Sequence, residues 1–146
     1  MNLGKNPRGL RNNNPLNIRY DGTKWQGLAT PATDGAFCRF KNFDYGYRAA
    51  LKILDTYYHK YKLRTIKEIV ERWAPAADGN NPKQYATFVA ATASTTPSAY
   101  LPEPSIDRMG WTNILLGMTY VECGTGIDEV RMRNSAKEAW YMLYED

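Results

Sequence analysis

Apolar residues follow two different rhythms along this chain, and the change comes at Asp44. Upstream, residues 1–43 are rich in Gly, Asn, Pro and Thr, and only short alternations near 16–20 and 36–40 have the two-residue period of strands. The first segment therefore predicts an irregular loop lobe holding a small hairpin. Downstream, Tyr47, Leu51, Leu54, Tyr58 and Tyr61 recur at steps of 4, 3, 4 and 3, one face of an amphipathic helix over 44–61. Asp44 reads as its cap.

Four more helices follow from the same period. Thr65-Ile66-Lys67-Glu68 has the form of a capping box, with Ile66, Ile69, Val70 and Trp73 facing inward until Pro75 stops the helix. Asn81-Pro82 combines a cap with proline at the first helical position, opening a helix over 82–94 with Tyr85, Phe88 and Val89 inward. After a Pro-rich loop, Trp111, Leu115, Met118 and Glu122 fall on one stripe of a helix over 106–122. Gly124-Thr125-Gly126 breaks it, and Ala136, Ala139, Trp140 and Leu143 line a last helix over 127–144. No repeat, linker or low-complexity tract divides the chain. Residues 1–146 are expected to form one α+β, mainly α domain of about five helices beside a small N-terminal loop/β lobe.

Composition narrows the chemistry. No apolar run is long enough for a bilayer span or a signal-peptide core, so a chain without membrane insertion or export signal is expected. A net charge of +4 favours an anionic partner without choosing among cell-wall polymer, nucleic acid and acidic lipid. Eleven Tyr and four Trp exceed what a small core needs and suit stacking on sugars or bases. Two cysteines, Cys38 and Cys123, are too few for a disulfide framework, and whether they meet is open. One histidine, His59, argues against a metal centre or a His-activated nucleophile, and its polar surroundings suit a solvated helix end. No cofactor is implied.

Four asparagines crowd Asn12-Asn13-Asn14-Pro15-Leu16-Asn17, where they must either turn backbone or grip a polar ligand. The series Arg11 to Arg19, then Gly22-Thr23-Lys24-Trp25-Gln26-Gly27, Phe37 to Phe40 and the helix opening at Asp44 resembles bacterial and phage peptidoglycan hydrolases with a lysozyme-like fold, especially their glucosaminidase branch. It also resembles short phage proteins labelled virion structural proteins, whose N-terminus reads R-G-x-R-N-N-N-P. Trp73-Ala74-Pro75 and Asn80-Asn81-Pro82 extend the likeness more loosely. The resemblance implies a lysozyme-like domain whose substrate is the glycan strand of peptidoglycan. Asn12, Asn14 and Asn17 would shape the cleft, and Tyr20 and Trp25 would stack on sugar rings. It places the protein in a phage virion, or in the host cytoplasm before release, with other virion proteins as further partners.

Glycoside hydrolysis needs an acid that is still protonated near neutral pH, which an apolar setting provides. Glu122, at the end of the Trp111–Leu115–Met118 stripe, fits that demand best. Tyr120-Val121-Glu122-Cys123-Gly124-Thr125-Gly126 resembles the E-S-G-x-G signature around the catalytic Glu of muramidases and transglycosylases, with Cys123 in place of Ser. In that family the Glu helix precedes the Asn-rich motif, whereas here it follows. Either the domain is circularly permuted or the likeness at Glu122 is accidental. Glu68 is absorbed by its capping box and Glu71 lies off the buried face, while Asp21, Asp34 and Asp44 are candidates for a second carboxylate.

Two readings stand. One is glycan-strand cleavage as muramidase, glucosaminidase or lytic transglycosylase, with Glu122 as acid. The other is a non-catalytic virion or wall-binding protein on the same frame. Nucleic-acid binding is a weaker third, resting on Arg8, Arg11, Arg19, Arg39 and Lys41 interleaved with Tyr20, Phe37 and Phe40.

Overall fold

A computed structural model describes residues 6–145; the first five residues of the N-terminal lobe lie outside it. The architecture is α+β and mainly α. A short helix α1 (Arg8–Arg11) and a two-stranded sheet, β1 (Leu28–Thr33) and β2 (Cys38–Phe40), precede five longer helices: α2 (Phe43–His59), α3 (Ile66–Trp73), α4 (Pro82–Thr92), α5 (Arg108–Cys123) and α6 (Glu129–Tyr144).

α5 is the axis of the core. Trp111, Ile114, Leu115, Leu116, Met118 and Thr119 are all buried, so the helix is enclosed on every side and the single stripe seen in sequence is only part of its packed surface. α4 and α6 pack on it, α2 lies along α6, and α3 packs on α4. The one deeply buried polar pair is satisfied: Thr119 donates to the Leu115 carbonyl at 2.8 Å, so the Tyr47 hydroxyl, 2.7 Å away, donates to Thr119.

Helix starts obey their local chemistry. Thr65 Oγ1 accepts from the Glu68 N–H at 3.1 Å, and Glu68 reaches back to the Arg64 N–H at 3.0 Å. Asn81 accepts from the Gln84 N–H, with Pro82 in the first turn. The cap of α2 is Asn42, which accepts from the Tyr45 N–H at 3.1 Å; Asp44, the expected cap, lies inside the first turn and bonds Ser135. Tyr61 falls beyond the end of α2 and Phe88 is 40% exposed, so neither belongs to the core.

The strand at 36–40 forms, but its partner is 28–33 rather than 16–20. Asp34 and Gly35 make a tight local turn, with Asp34 Oδ1 accepting from the Ala36 and Phe37 N–H groups at 3.0 and 2.8 Å, so the nearer segment folds back first. Residues 16–20 contribute only the bridge Arg19–Phe37 beside that hairpin.

Candidate active site

The Asn-rich loop is built largely by its own amides. Asn13 and Asn17 take positive φ values of 50° and 54°, which asparagine tolerates better than other side chains. Asn14 is wholly buried: its amide donates to the Ile18 and Cys38 carbonyls at 2.9 and 3.0 Å and its oxygen accepts from the Ile18 N–H at 2.9 Å. Asn13 donates to the Phe40 carbonyl at 3.1 Å, and Asn12 to Asp34 at 2.9 Å. Asn12 and Asn14 therefore tie the loop to the hairpin and do not shape a cleft, a correction to the sequence reading. The Asn14 amide is consumed by buried backbone groups and the Asn12 amide by the Asp34 carboxylate.

Asn17 is different. Its Nδ2 donates to Glu122 Oε1 at 3.0 Å across 105 residues of sequence. The other carboxylate oxygen, Oε2, accepts from the Tyr85 hydroxyl of α4 at 3.0 Å. Glu122 thus sits half-buried at the last turn of α5, between the Asn-rich loop and α4. Burial, then the neighbouring Glu122 carboxylate, push the Tyr85 phenol far above the usual tyrosine range, so Tyr85 stays a donor. Burial and the same carboxylate push the Cys123 thiol up to about 12. The close approach of loop and helix requires Gly9, where a Cβ would stand 2.8 Å from Asn17 Oδ1 and 2.9 Å from Cys123 Sγ.

A groove of about 840 Å³ opens at this point. Asn17 and Glu122 lie on one side, Tyr57 and Trp73 on another, and Arg19, Asp21, Asp78 and Asn80 add polar edges. Tyr57 and Trp73 meet edge to face with ring centroids 6.4 Å apart, an aromatic wall of the sort that packs on sugar faces. The lining mixes three rings, two amides and aliphatic side chains with Arg19 and the carboxylates of Asp21, Asp78 and Glu122, so it offers apolar faces beside charged and hydrogen-bonding groups. Asn17 Oδ1 is buried without a hydrogen-bond partner among the described residues. Turning the amide over would present that oxygen to Glu122, so Asn17 can donate to the carboxylate or accept from the protonated acid.

Tyr20 and Trp25 are not in the groove. Tyr20 is exposed, and Trp25 packs half-buried against the core, whereas Tyr57 and Trp73 are aromatic residues that line the groove. The helical period places Trp73 inward, and at the end of α3 it both packs half-buried against the core and lines the groove. The same period places Tyr85 in the core, and nothing in sequence marks its hydroxyl as a partner of Glu122. Of the other acids, Asp21 lines the groove, Asp34 is bound to Arg8 at 2.6 Å, and Glu71 is exposed on α3. A second concavity of about 730 Å³ lies between the starts of α2 and α6, where Asp128 caps α6, Asp44 bonds Ser135 and Glu138 is exposed.

Of the basic residues considered for nucleic acid, Lys41 is exposed and Arg11 donates to the Asn6 carbonyl. Arg8 pairs with Asp34 and lies over Phe37, Arg19 covers the same ring at 4.8 Å, and Arg39 donates to the Pro31 carbonyl. Phe40 is buried.

No protein-family profile matches the chain. It is similar to Protein P5 of Pseudoalteromonas phage PM2, at 45% identity over 86 residues, 57% of this chain and 53% of that protein. The chain thus spans about half the length of the curated relative it matches, and that relative is a phage protein.

Proposed function

We propose that the groove binds a glycan strand of peptidoglycan and that Glu122 is the acid that cleaves it. The observation that carries this reading is the placement of Glu122: a half-buried carboxyl group, clamped by Asn17 and Tyr85, on the floor of a groove walled by Tyr57 and Trp73. In the proposed reaction the protonated Glu122 gives its proton to the glycosidic oxygen as the bond from that oxygen to the anomeric carbon breaks. The oxocarbenium-like carbon is then captured by water, giving a reducing end, or by a hydroxyl of the same sugar, giving an anhydro end. In the first case Glu122 regains its proton from the attacking water, in the second from the attacking hydroxyl. Tyr85 and Asn17 act as positioning residues that hold the carboxyl group toward the groove. The resemblance of the Asn-rich segment and of the Glu122 string to lysozyme-like hydrolases supports a wall-degrading role on a circularly permuted lysozyme-like frame, and the similarity to a phage protein supports a phage setting for it.

The test is loss of turbidity of purified peptidoglycan with mass analysis of the fragments. The wild-type chain is expected to release soluble muropeptide strands, and Glu122→Gln, which keeps size and much of the hydrogen bonding, is expected to lose activity by at least a hundredfold, on the order of general acid catalysis, with an unchanged melting temperature. Activity of the variant at the wild-type rate overturns the assignment.

The second reading, a virion or wall-binding module without catalysis, is favoured by one specific fact. Both Glu122 oxygens are already met by protein donors, as in a structural tie between α4, α5 and the loop. Co-sedimentation with peptidoglycan without any fragments identifies this case.

A further inference from the structure

A single histidine argued against a metal centre in the sequence, but the fold brings two carboxylates from different elements to it. Asp55 and His59 stand one turn apart at the end of α2, and Glu103 comes from the loop between α4 and α5. His59 Nε2 lies 2.9 Å from Glu103 Oε1 and 3.9 Å from Asp55 Oδ2, and one ligand atom from each of the three falls within 4.8 Å of the others. We propose that Asp55, His59 and Glu103 bind one zinc-class divalent cation that staples the end of α2 to the loop preceding α5.

Three observations carry this beyond a chance meeting of charges. First, the loop that offers Glu103 is fixed carbonyl by carbonyl. Tyr58 donates to Leu101, Trp111 to Pro102 and Trp140 to Pro104, at 3.0, 3.0 and 2.9 Å. Glu103 is therefore presented from a rigid support, as a preorganised ligand must be. Second, each carboxylate is oriented by a hydroxyl from outside the triad: Tyr144 of α6 donates to Asp55 Oδ2 at 2.5 Å, and Ser105 donates to Glu103. Metal-binding carboxylates are characteristically held by such outer contacts. Third, charge and donor type match one ion. Two carboxylates and a neutral imidazole balance a dication, and imidazole among the donors selects zinc-like ions over magnesium or calcium. Tetrahedral ligands around zinc sit about 3.3 Å apart, so on metal binding the His59–Glu103 contact of 2.9 Å opens slightly and the wider pairs, His59–Asp55 at 3.9 Å among them, close. His59 is half-exposed, which leaves an entry route and room for a water as fourth ligand.

The experiment uses the full chain without an affinity tag, stripped with chelator and desalted, so that His59 is the sole imidazole present. Metal analysis after zinc addition is expected to give one ion per chain. Zinc at about a hundredfold excess over its dissociation constant should raise the melting temperature by about 5–10 °C, whereas magnesium should leave it unchanged. Cobalt(II) should give the visible absorption of a tetrahedral centre. His59→Ala and Glu103→Gln alter partly exposed side chains, and both are expected to fold without metal and to lose uptake and shift together. Absence of zinc uptake by the wild-type chain overturns the site and leaves the direct His59–Glu103 hydrogen bond as the tie between α2 and the loop. Uptake unchanged in His59→Ala also overturns it and directs the ion to Cys38 or Cys123.

Discussion

Asn14 carries three hydrogen bonds in a fully buried setting, and its loss strips the Ile18 N–H and the Cys38 carbonyl of their Asn14 bonds and leaves the Ile18 carbonyl only the Cys38 N–H. Asn14→Ala is expected to cost about 3 kcal/mol or more, read as a fall in the denaturant midpoint with no change in slope. A cost under 1 kcal/mol would mean that water reaches those groups. The same scale separates the tryptophans. Trp73→Ala is expected to weaken binding of a chitooligosaccharide by about 1 kcal/mol or more, and Trp25→Ala to leave affinity unchanged while lowering stability. Isothermal titration with both variants checks this, and the reverse pattern would restore Trp25 to the binding surface. The asparagines show how much of a site is legible residue by residue. Their type announced hydrogen bonding, but whether the partner is backbone or ligand depends on which carbonyls the fold brings within 3 Å.

At the scale of elements, the hinge of the molecule's design is the contact between the N-terminal lobe and the end of α5. The lobe is held together by the hairpin turn at Asp34, whose carboxylate takes Arg8, Asn12 and two backbone N–H groups. The Arg8 guanidinium, foremost among these partners, holds the Asp34 carboxyl group far below the usual carboxylate range. A folded-state value below the unfolded one means that its stabilisation is complete above about pH 4. That stabilisation is lost as pH falls below this point. The protection factors of the hairpin amides, taken relative to the slower intrinsic exchange in acid, are expected to fall on acidification before those of α5, and Asp34→Asn should remove this early step. Uniform exchange across lobe and helices would contradict it. The helices themselves were plain in sequence because each carries its period and its cap within a few residues. β1 was not, since Leu28–Thr33 alternates weakly and is recruited by the turn that follows it.

At the scale of the whole molecule, burial governs the two cysteines. Burial, with Asp21 as a lesser cause, raises the Cys38 thiol to about 11, and burial with Glu122 raises Cys123 to about 12. Both are free thiols. At pH 8 the native chain is expected to react with a thiol reagent only at the rate of its opening, and the denatured chain to react at once at both positions. Because their folded-state values exceed the unfolded one, their contribution to stability is whole below about pH 8.5 and declines as pH rises through the folded values. Rapid native labelling at pH 8 would show that the core around α5 is open.

The sequence by itself determined the five long helices, the caps at Thr65 and Asn81, the mainly α architecture with its loop lobe, and the place of Glu122 at the end of an apolar stripe. These follow from local periodicity and from capping chemistry that acts over three or four residues. Only the tertiary structure decided that Asn17 alone of the paired candidates meets Glu122, that Tyr85 clamps its other oxygen, and that Trp73 rather than Trp25 walls the groove. It likewise decided that His59 faces Asp55 and Glu103. Each of these depends on residues distant in the chain, such as Asn17 and Glu122 at a separation of 105, brought together by the burial of α5 among its neighbours. Such packing leaves no local pattern to read, because the same Tyr or Asn serves core, turn or site according to what the fold sets opposite it.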